Sequence, residues 1–431
     1  MQPNPSPLQE FHAARVKPGF DLSAYLRGML GRANGNLSHN TYITLDEEWS
    51  LREAERQMER SSANSGDTPP LLGVPVSLKD CFDLEGFRTS CGSRFYAAHN
   101  AVAAQDSALA ASLKSAGAVI TGKTHLHQLA YGITGENRDY GNCLQPLDAR
   151  RLTGGSSSGA AASIQEGSAL AAIGTDTGGS VRVPAAICGL AGYRSSLGVA
   201  DWRGGAHLAP SFDTIGWLFA DLRDAPLLAE SAFALPVPPS GELPASVTVG
   251  VLSGSSLEGC DAAVQRSFEL WQERLLRQGA RLHPIEPEFW SEAWDIYIPI
   301  QAFEAARLHT GFLSEFEPSI AARLQYGAAL RQPEIDGLRG RNRRFCSQME
   351  DLFRRFDFLL APTTPVSVLD AGKDQTEARP HILRYTLPAS LAGLPAVVLP
   401  SSDCGLQLLA AQNDDRRLLR FAAELGEQLV R

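Results

Sequence analysis

A stretch of small side chains, residues 151–194, constrains this chain more than any other feature. It reads RLTGGSSSGAAASIQEGSALAAIGTDTGGSVRVPAAICGLAGYR. Small side chains let backbone segments approach closely, and they leave main-chain N–H groups free to face a ligand. We therefore expect two Gly-Ser loops here, separated by an Ala-rich helix over 159–165 and a short strand over 169–174.

Helices alternate with short apolar strands on both sides of this stretch. Residues 46–60 are strong helix formers with acidic residues at the start. Alternation of this kind predicts an α/β sheet. The other predicted elements are strands at 73–78, 118–124, VTVGVLSG, ARLHPI, FDFLLAPTTP, LPAVVLPSS and GLQLLAA, and helices at 107–116, 261–279, in most of 295–357 and from residue 414 or 415 onwards.

The chain shows no internal repeat and no low-complexity linker, so we expect one mixed α/β domain over residues 1–431. Within it we distinguish an N-terminal helical segment (1–60), a catalytic core (70–220) and a substrate-pocket and C-terminal part (235–431).

Composition narrows the function classes. The net charge of −9 argues against binding to nucleic acids or acidic membranes, which needs an excess of Lys and Arg. The seven cysteines form no C-x-x-C pair, so neither a zinc site nor a disulfide framework is expected, and reduced, mostly buried thiols fit better. We find no signal peptide and no stretch of transmembrane length, and we expect a cytoplasmic protein.

Three separate motifs carry the candidate chemistry. Lys79 ends the apolar segment GVPVSLKD, TGGSSSG spans 153–159, and GTDTGGSVRVP spans 174–184. Taken singly, each has a structural explanation: a salt-bridged lysine, a flexible turn or anion site, and a tight turn before a strand. Taken together they suggest nucleophilic acyl transfer, because a serine after two glycines is placed beside consecutive N–H groups that suit an oxyanion.

The base that would activate such a serine is not an obvious histidine. His125 and His127 lie nearest the motifs, but their HLH spacing does not suit a helical zinc pair. TGGSSSG does not end in the Gly-Lys-Ser/Thr of a Walker-type phosphate loop.

These motifs closely resemble the amidase signature family over nearly the whole chain. The match includes HNTYITLDEEWSLREAERQ, GVPVSLKD, GAVITGKTHLHQLAYG, GGSSSG, GTDTGGSVRVPAAICGLAGYRSSLG, SFDTIGW, GLPAVVLP and GLQLLAA. Within the family, YGITGENRDYGN makes the chain resemble short, single-domain amidases of the indole-3-acetamide hydrolase type. The resemblance implies a large twisted mixed β-sheet with helices on both faces. No metal or organic cofactor is implied.

The resemblance further implies a Ser-Ser-Lys triad. Ser180 would be the nucleophile, Ser156 the bridging serine, held in the family by a cis peptide bond, and Lys79 the base. The oxyanion hole would consist of the N–H groups of Thr177, Gly178, Gly179 and Ser180. Such a lysine acts as a base only when neutral, so burial must lower its pKa by several units.

Six further residues receive roles from their positions. Asp176 and Arg182 flank the nucleophile and would hold its loop. The segment Ala130, Tyr131, Gly132 and Ile133 aligns with the family loop that faces the acyl group, although Tyr131 fits equally well as a core aromatic.

The sequence leaves several functions open. We expect an amidase that cleaves a small aryl or alkyl amide. Alternatives are a carbamate, urea-derivative or ester hydrolase with the same triad, the glutamine-hydrolysing subunit of a tRNA-dependent amidotransferase, and a non-enzymatic amidase-like receptor. The sequence is also compatible with a homodimer. Six aromatic residues would suit an aryl or alkyl group, or could equally belong to the core: Trp202, Phe212, Trp217, Trp290, Trp294 and Tyr297.

Overall fold

The computed structural model describes residues 4–63, 68–233, 235, 247–309 and 311–429. Helices and strands alternate through the first half of the chain, as the hydrophobic pattern predicts. The elements there are α1 (Pro7–Arg15), α2 (Leu22–Gly35), β1 (Tyr42–Thr44), α3 (Glu47–Ala63), β2 (Pro75–Lys79), α4 (Arg94–His99), α5 (Ala108–Ser115), β3 (Val119–Thr124), β4 (Leu144–Gln145), β5 (Asp148–Leu152), α6 (Ser158–Gln165), β6 (Ala171–Asp176), α7 (Arg182–Ile187), β7 (Ala191–Arg194), β8 (Thr214–Phe219) and α8 (Ala225–Phe233).

The second half contains a block of long helices between its strands. The elements are β9 (Thr248–Leu252), α9 (Ala262–Arg277), β10 (Arg281–Ile285), α10 (Ala293–Leu308), α11 (Pro318–Ala329), α12 (Gln332–Phe353), β11 (Phe358–Pro362), α13 (Arg379–Leu383), α14 (Leu387–Leu391), β12 (Ala396–Leu399), β13 (Leu406–Leu409) and α15 (Asp415–Leu429). The helices α10, α11 and α12 fill most of the 295–357 region that was predicted to be helical.

Eleven of the strands in the described part of the chain form one mixed sheet, in the order β1-β3-β2-β6-β8-β7-β12-β13-β11-β9-β10. Strands β3, β2 and β6 run parallel at one end, and β11, β9 and β10 run parallel at the other. Antiparallel pairs join these two ends through β8, β7, β12 and β13. This confirms the predicted α/β fold with a large mixed sheet.

Both faces of the sheet are covered. Successive residues of a strand point to opposite faces, and in β11 the side chains of Phe358 and Leu360 belong to one buried apolar cluster while Leu359 belongs to another. Strand β2 is buried along its whole length, as expected for a strand inside a parallel section of a sheet.

The segment after β6 does not form the tight turn before a strand that was the structural alternative for GTDTGGSVRVP. Helix α7 begins at Arg182 instead of a strand. The physical reason is Asp176, whose Oδ2 accepts the N–H groups of Val181 (3.2 Å) and Arg182 (3.3 Å). A carboxylate in this position satisfies N–H groups that the first helical turn leaves without an acceptor.

The structure bears on two expectations from the sequence, namely reduced, mostly buried thiols and the lack of a membrane-spanning segment. Six cysteines are buried and Cys346 is half-buried, and all seven are free thiols. None of the helices in the described ranges is long and apolar enough to span a membrane.

Candidate active site

Lys79 is the last residue of β2, and its side chain is completely buried. Its Nζ lies 2.8 Å from Ser156 Oγ, 2.9 Å from Ser157 Oγ and 2.7 Å from Thr175 Oγ1. All three partners are neutral hydroxyls. Because burial penalises the ammonium form, the pKa of Lys79 is lowered to about 8, even though more distant acidic groups favour the charge. Among the described residues, this lysine makes no ion pair.

Ser156 lies in the loop between β5 and α6, and the Gly155–Ser156 peptide bond is cis. The carbonyl oxygen of Ser156 accepts the N–H of His127 at 3.2 Å. The N–H of Gly155 donates to Ile133 O at 2.7 Å, which ties this loop to the predicted pocket segment. Two segments that were assigned separately in the sequence are therefore in direct contact.

Ser180 lies between β6 and α7 and is only 5% exposed. Its carbonyl oxygen accepts the N–H of Ser157 at 3.1 Å, so the two Gly-Ser loops lie side by side. Ser180 lines a narrow cavity, which we call the inner cavity. The lining residues are Ala130, Tyr131, Gly132, Ile133, Thr177, Gly178, Ser180, Leu208, Tyr297, Gln301, Arg379 and Leu383.

The two glycines before Ser180 are in tight surroundings. A Cβ atom on Gly178 would lie 2.6 Å from Tyr297 Oη. Gly179 has φ +137°, and a Cβ there would lie 2.7 Å from Thr386 Oγ1. Glycine is thus required at both positions.

The N–H groups of this loop do not all have the same surroundings. The N–H of Gly179 donates to Asp176 Oδ1 at 2.8 Å. Of the four N–H groups assigned to an oxyanion hole, the one on Gly179 therefore already has an acceptor. Thr177, Gly178 and Ser180 line the inner cavity.

Asp176 and Arg182 form a completely buried ion pair, with Arg182 Nε 3.0 Å from Asp176 Oδ2. A second guanidinium, from Arg194, lies 2.8 Å from Asp176 Oδ1. Burial alone would raise the pKa of Asp176, but the two arginines outweigh it and hold that pKa well below its usual range. This cluster fixes the loop that carries Ser180, because Asp176 also binds the backbone of that loop.

Arg194 and the two extra partners of Lys79, Ser157 and Thr175, were not identified from the sequence. Arg194 ends β7, which reaches Asp176 only through the antiparallel pairing of β7 with β8 and of β8 with β6. Ser157 is adjacent to Ser156 in GGSSSG, so the motif itself contained this signal. Thr175 precedes Asp176 on β6, next to β2, and the parallel pairing of the two strands was the available clue.

The predicted pocket segment 130–133 does line the inner cavity. A second, larger cavity shares Gly132, Ile133 and Arg379 with it, and we call this the outer cavity. The outer cavity is also lined by His127, Thr134, Glu136, Asn137, Arg138, Asn142, Glu317, Pro318, Ser319, Arg323 and Gln375. No motif in the sequence indicated that Arg379 and Arg323 would come to this place.

The two candidate histidines have other partners. Burial lowers the pKa of His125 to about 4, and its Nε2 lies 2.8 Å from Gly141 O. His127 Nε2 lies 3.6 Å from Glu317 Oε2 in the wall of the outer cavity.

Of the six aromatic residues considered for an aryl or alkyl group, Tyr297 lines the inner cavity. Phe212 packs behind it, with ring centroids 4.8 Å apart. Trp217 is completely buried on β8, and Trp202 stacks on His207. Trp290 and Trp294 pack against an apolar cluster.

The comparisons with known proteins agree on the family. The family description Amidase matches residues 24–419. A glutamyl-tRNA(Gln) amidotransferase subunit of Roseiflexus sp. (strain RS-1) is 31% identical, over 88% of this chain and 87% of that protein. AtzE of Pseudomonas sp. (strain ADP), which is a subunit of 1-carboxybiuret hydrolase, is 32% identical, over 83% of this chain and 84% of that protein.

A solved structure described as a crystal structure of amidase superposes with a TM-score of 0.87 at 29% identity, covering 97% of this chain and 99% of that one. The match of sequence and fold extends over both Gly-Ser loops and the strand that ends in Lys79. The chain belongs to the amidase family of hydrolases, which act on carbon–nitrogen bonds.

Proposed function

We propose that this chain is an amidase that hydrolyses a small carboxylic amide to an acid and ammonia or an amine, through an acyl-enzyme on Ser180. The observation that carries the proposal is Lys79, a buried lysine 2.8 Å from Ser156 Oγ with its pKa lowered to about 8. A lysine in that state is neutral in roughly a tenth of the molecules at pH 7 and in about half of them at pH 8, and the neutral form can accept a proton.

In the first half of the reaction, Lys79 takes the proton of Ser156 while Ser156 takes the proton of Ser180. The oxygen of Ser180 attacks the amide carbonyl carbon, and the carbonyl oxygen becomes an oxyanion. The N–H groups of Thr177, Gly178 and Ser180 would stabilise that oxyanion. Gly179 would contribute through the bond of its N–H to Asp176, which fixes the turn.

The proton then returns through Ser156 to the leaving nitrogen, the carbon–nitrogen bond breaks, and an ester on Ser180 remains. Water enters, gives a proton to the same relay and attacks the ester carbonyl, which releases the acid and restores Ser180. Each step moves one proton between Lys79 and the reacting atoms, so no metal or cofactor is required by this chemistry.

A fluorophosphonate probe tests this proposal directly. We expect it to label Ser180, identified by peptide mass spectrometry, and to label Ser180→Ala no more than background. A screen of aryl, alkyl, amino-acid, urea-type and carbamate substrates then defines the bond. Absence of labelling of a folded wild-type chain contradicts the proposal and favours an amidase-like binding protein.

The relay assignment has its own test, because Ser157 lies as close to Lys79 as Ser156 does. We expect Ser156→Ala to lower kcat by roughly 100-fold or more, in the range of a lost acid–base step. Ser157→Ala removes an acceptor of Lys79 but leaves the relay, and we expect a loss of roughly 10-fold. A larger loss of kcat in Ser157→Ala than in Ser156→Ala would assign the bridging role to Ser157.

A second candidate function rests on the relatives. Several are named as subunits of glutamyl-tRNA(Gln) amidotransferase, at 27–31% identity, and another is named as a hydrolase subunit. For this chain they support a glutamine-hydrolysing subunit, or a urea-derivative hydrolase, that works beside a partner. Co-purification with partner subunits, and glutaminase activity that depends on them, would favour that role over a self-sufficient amidase.

A further inference from the structure

Arg379 is the charged residue in the described lining of the inner cavity that holds Ser180. The other lining groups are apolar side chains, glycines, hydroxyls and the amide of Gln301. A half-buried cation without a counter-ion in the wall of this cavity needs an explanation, because withdrawing a charge from water without a counter-ion is costly.

The described surroundings of Arg379 supply neutral partners. Its Nη2 donates to Gln301 Oε1 at 2.7 Å. Its guanidinium lies 5.8 Å from the ring centroid of Tyr131 and 5.7 Å from that of Trp294. Burial lowers the pKa of Arg379, and the groups that oppose this shift are two phenols, those of Tyr131 and Tyr297. No Asp or Glu forms an ion pair with Arg379 within the residues that the structure describes.

Arg323 lines the outer cavity and also contacts the aromatic ring of Tyr131. Its guanidinium is 4.7 Å from the centroid of Tyr131, and its Nη2 donates to Tyr131 O at 2.7 Å. Its Nε is buried and has no hydrogen-bond partner among the described residues. Burial and the positive charge of Arg379 together lower the pKa of Arg323 to about 10, so Arg379 disfavours the charged form of Arg323.

The carboxylate that acts on Arg323 belongs to Glu317. That carboxylate is already engaged, because it lies 3.6 Å from His127 and accepts the N–H of Arg138 at 2.9 Å. It therefore leaves the donors of Arg323 and Arg379 available to a ligand that enters between the two cavities.

We propose that Arg379, assisted by Arg323, forms a carboxylate subsite, and that the substrate is an amide that carries a carboxylate of its own, such as the monoamide of a dicarboxylic acid. A guanidinium suits a carboxylate because it offers paired N–H donors in a fixed plane. The described lining of the inner cavity holds no Asp or Glu that would repel a carboxylate. This inference rests on the function proposed for Ser180.

The first test compares matched substrates on the wild-type chain. Succinamate and glutaramate are each assayed beside the methyl ketone in which an acetyl group replaces the carboxylate. We expect kcat/KM to favour at least one carboxylate over its ketone by about 10- to 100-fold, as expected for charge-assisted hydrogen bonds. Equal values for both pairs overturn the inference.

The second test measures binding without turnover. In Ser180→Ala, calorimetry with the same two carboxylates should give a measurable Kd. Adding Arg379→Gln should raise that Kd by about 10-fold or more. Arg379→Lys keeps the charge but loses the paired N–H donors of the guanidinium, so its Kd should fall between the other two values. Arg52→Gln is the matched control, because Arg52 pairs with Glu48 on an exposed helix face.

The two proposals fail in different ways. The proposed function stands and the subsite is lost if a fluorophosphonate labels Ser180 of the wild-type chain but Ser180→Ala binds neither carboxylate. The same holds if adding Arg379→Gln leaves both Kd values unchanged. A chain that binds the carboxylates through Arg379 but whose Ser180 is never labelled loses the proposed function and keeps the subsite. Circular dichroism of each variant shows that loss of binding is not loss of fold.

Discussion

Strand β6 ends in two adjacent residues that belong to two different buried clusters. Thr175 contacts the ammonium group of Lys79 through its hydroxyl, whereas Asp176 pairs with the guanidinium groups of Arg182 and Arg194. Lys79, Asp176, Arg182 and Arg194 all have no exposed surface. The clusters differ in how the charge is compensated.

The hydrogen-bond acceptors of the lysine are neutral, so burial lowers its pKa to about 8 and its neutral form is populated near that pH. The aspartate has two cationic partners, and its pKa stays well below the usual range despite burial. The difference teaches that depth in the protein does not by itself decide the charge of a group. Its partners decide whether it exchanges a proton or keeps one state.

The largest effect should come from removing Lys79, the proton acceptor of the proposed mechanism. We expect Lys79→Met to lower kcat by about 10⁴-fold or more, as for other residues that act as one catalytic unit. The fold should persist, because methionine fills the space without burying a charge. Activity assays and circular dichroism measure the two outcomes separately. Lys114→Met is the control, since Lys114 pairs with Asp106 away from the site. Turnover near the wild-type rate in Lys79→Met would break the distinction between the clusters.

The aspartate cluster should respond through stability. Asp176→Asn leaves two buried guanidinium groups without a carboxylate, and we expect the free energy of unfolding to fall by about 3–5 kcal/mol. Urea denaturation followed by circular dichroism measures it. Because the folded pKa of Asp176 is depressed, its contribution is complete above the unfolded pKa of about 3.9 and is lost as pH falls below that value toward the folded pKa.

The control for this variant is Asp201→Asn, which removes an exposed carboxylate beside Arg203. Its denaturation midpoint should stay at the wild-type value. A folded Asp176→Asn chain with an unchanged midpoint would show that the arginines are satisfied by their carbonyl and amide acceptors alone.

The smallest effect should be a shift in pH dependence. In the proposed mechanism the neutral form of Lys79 is the base, so kcat/KM should rise with pH and level off above about 8. Thr175→Val removes one of the three acceptors of the ammonium form. We expect it to lower the pKa of Lys79, so that the plateau begins at lower pH by about one unit at most.

Ser163→Ala serves as the control for that profile. The hydroxyl of Ser163 pairs with Ser77 on the same strand as Lys79 and does not contact Nζ. A shift toward higher pH in Thr175→Val would mean that the threonine hydroxyl donates to a neutral lysine instead of accepting from a charged one.

Much of this arrangement follows from local sequence patterns. The helix predicted over 46–60 is observed at Glu47–Ala63, and the strand predicted over 73–78 is observed at Pro75–Lys79. Such elements are set by periodicity and by acidic residues at a helix start, which act within a few residues. The small-residue loops around Ser156 and Ser180 were also visible, because only small side chains tolerate their close approach.

The residues that were missed depend on pairing across the sheet or on distant helices. Arg194 reaches Asp176 only because β8 lies between β7 and β6. Arg379 follows β11 by seventeen residues, counting from Pro362, and lines the same cavity as Ser180 because α13 lies beside the site. No spacing within the chain records these contacts, which arise only when the sheet is assembled.

The glycines of the inner cavity determine how the enzyme can be redesigned. A Cβ on Gly132 would lie 2.1 Å from the ring of His127, and one on Gly178 would lie 2.6 Å from Tyr297. A larger residue at either position must therefore displace the side chain of His127 or Tyr297 and disturb the cavity wall. Leu208 and Leu383 also line the cavity and have side chains that can be shortened, so directed evolution toward bulkier amides should begin with those two leucines.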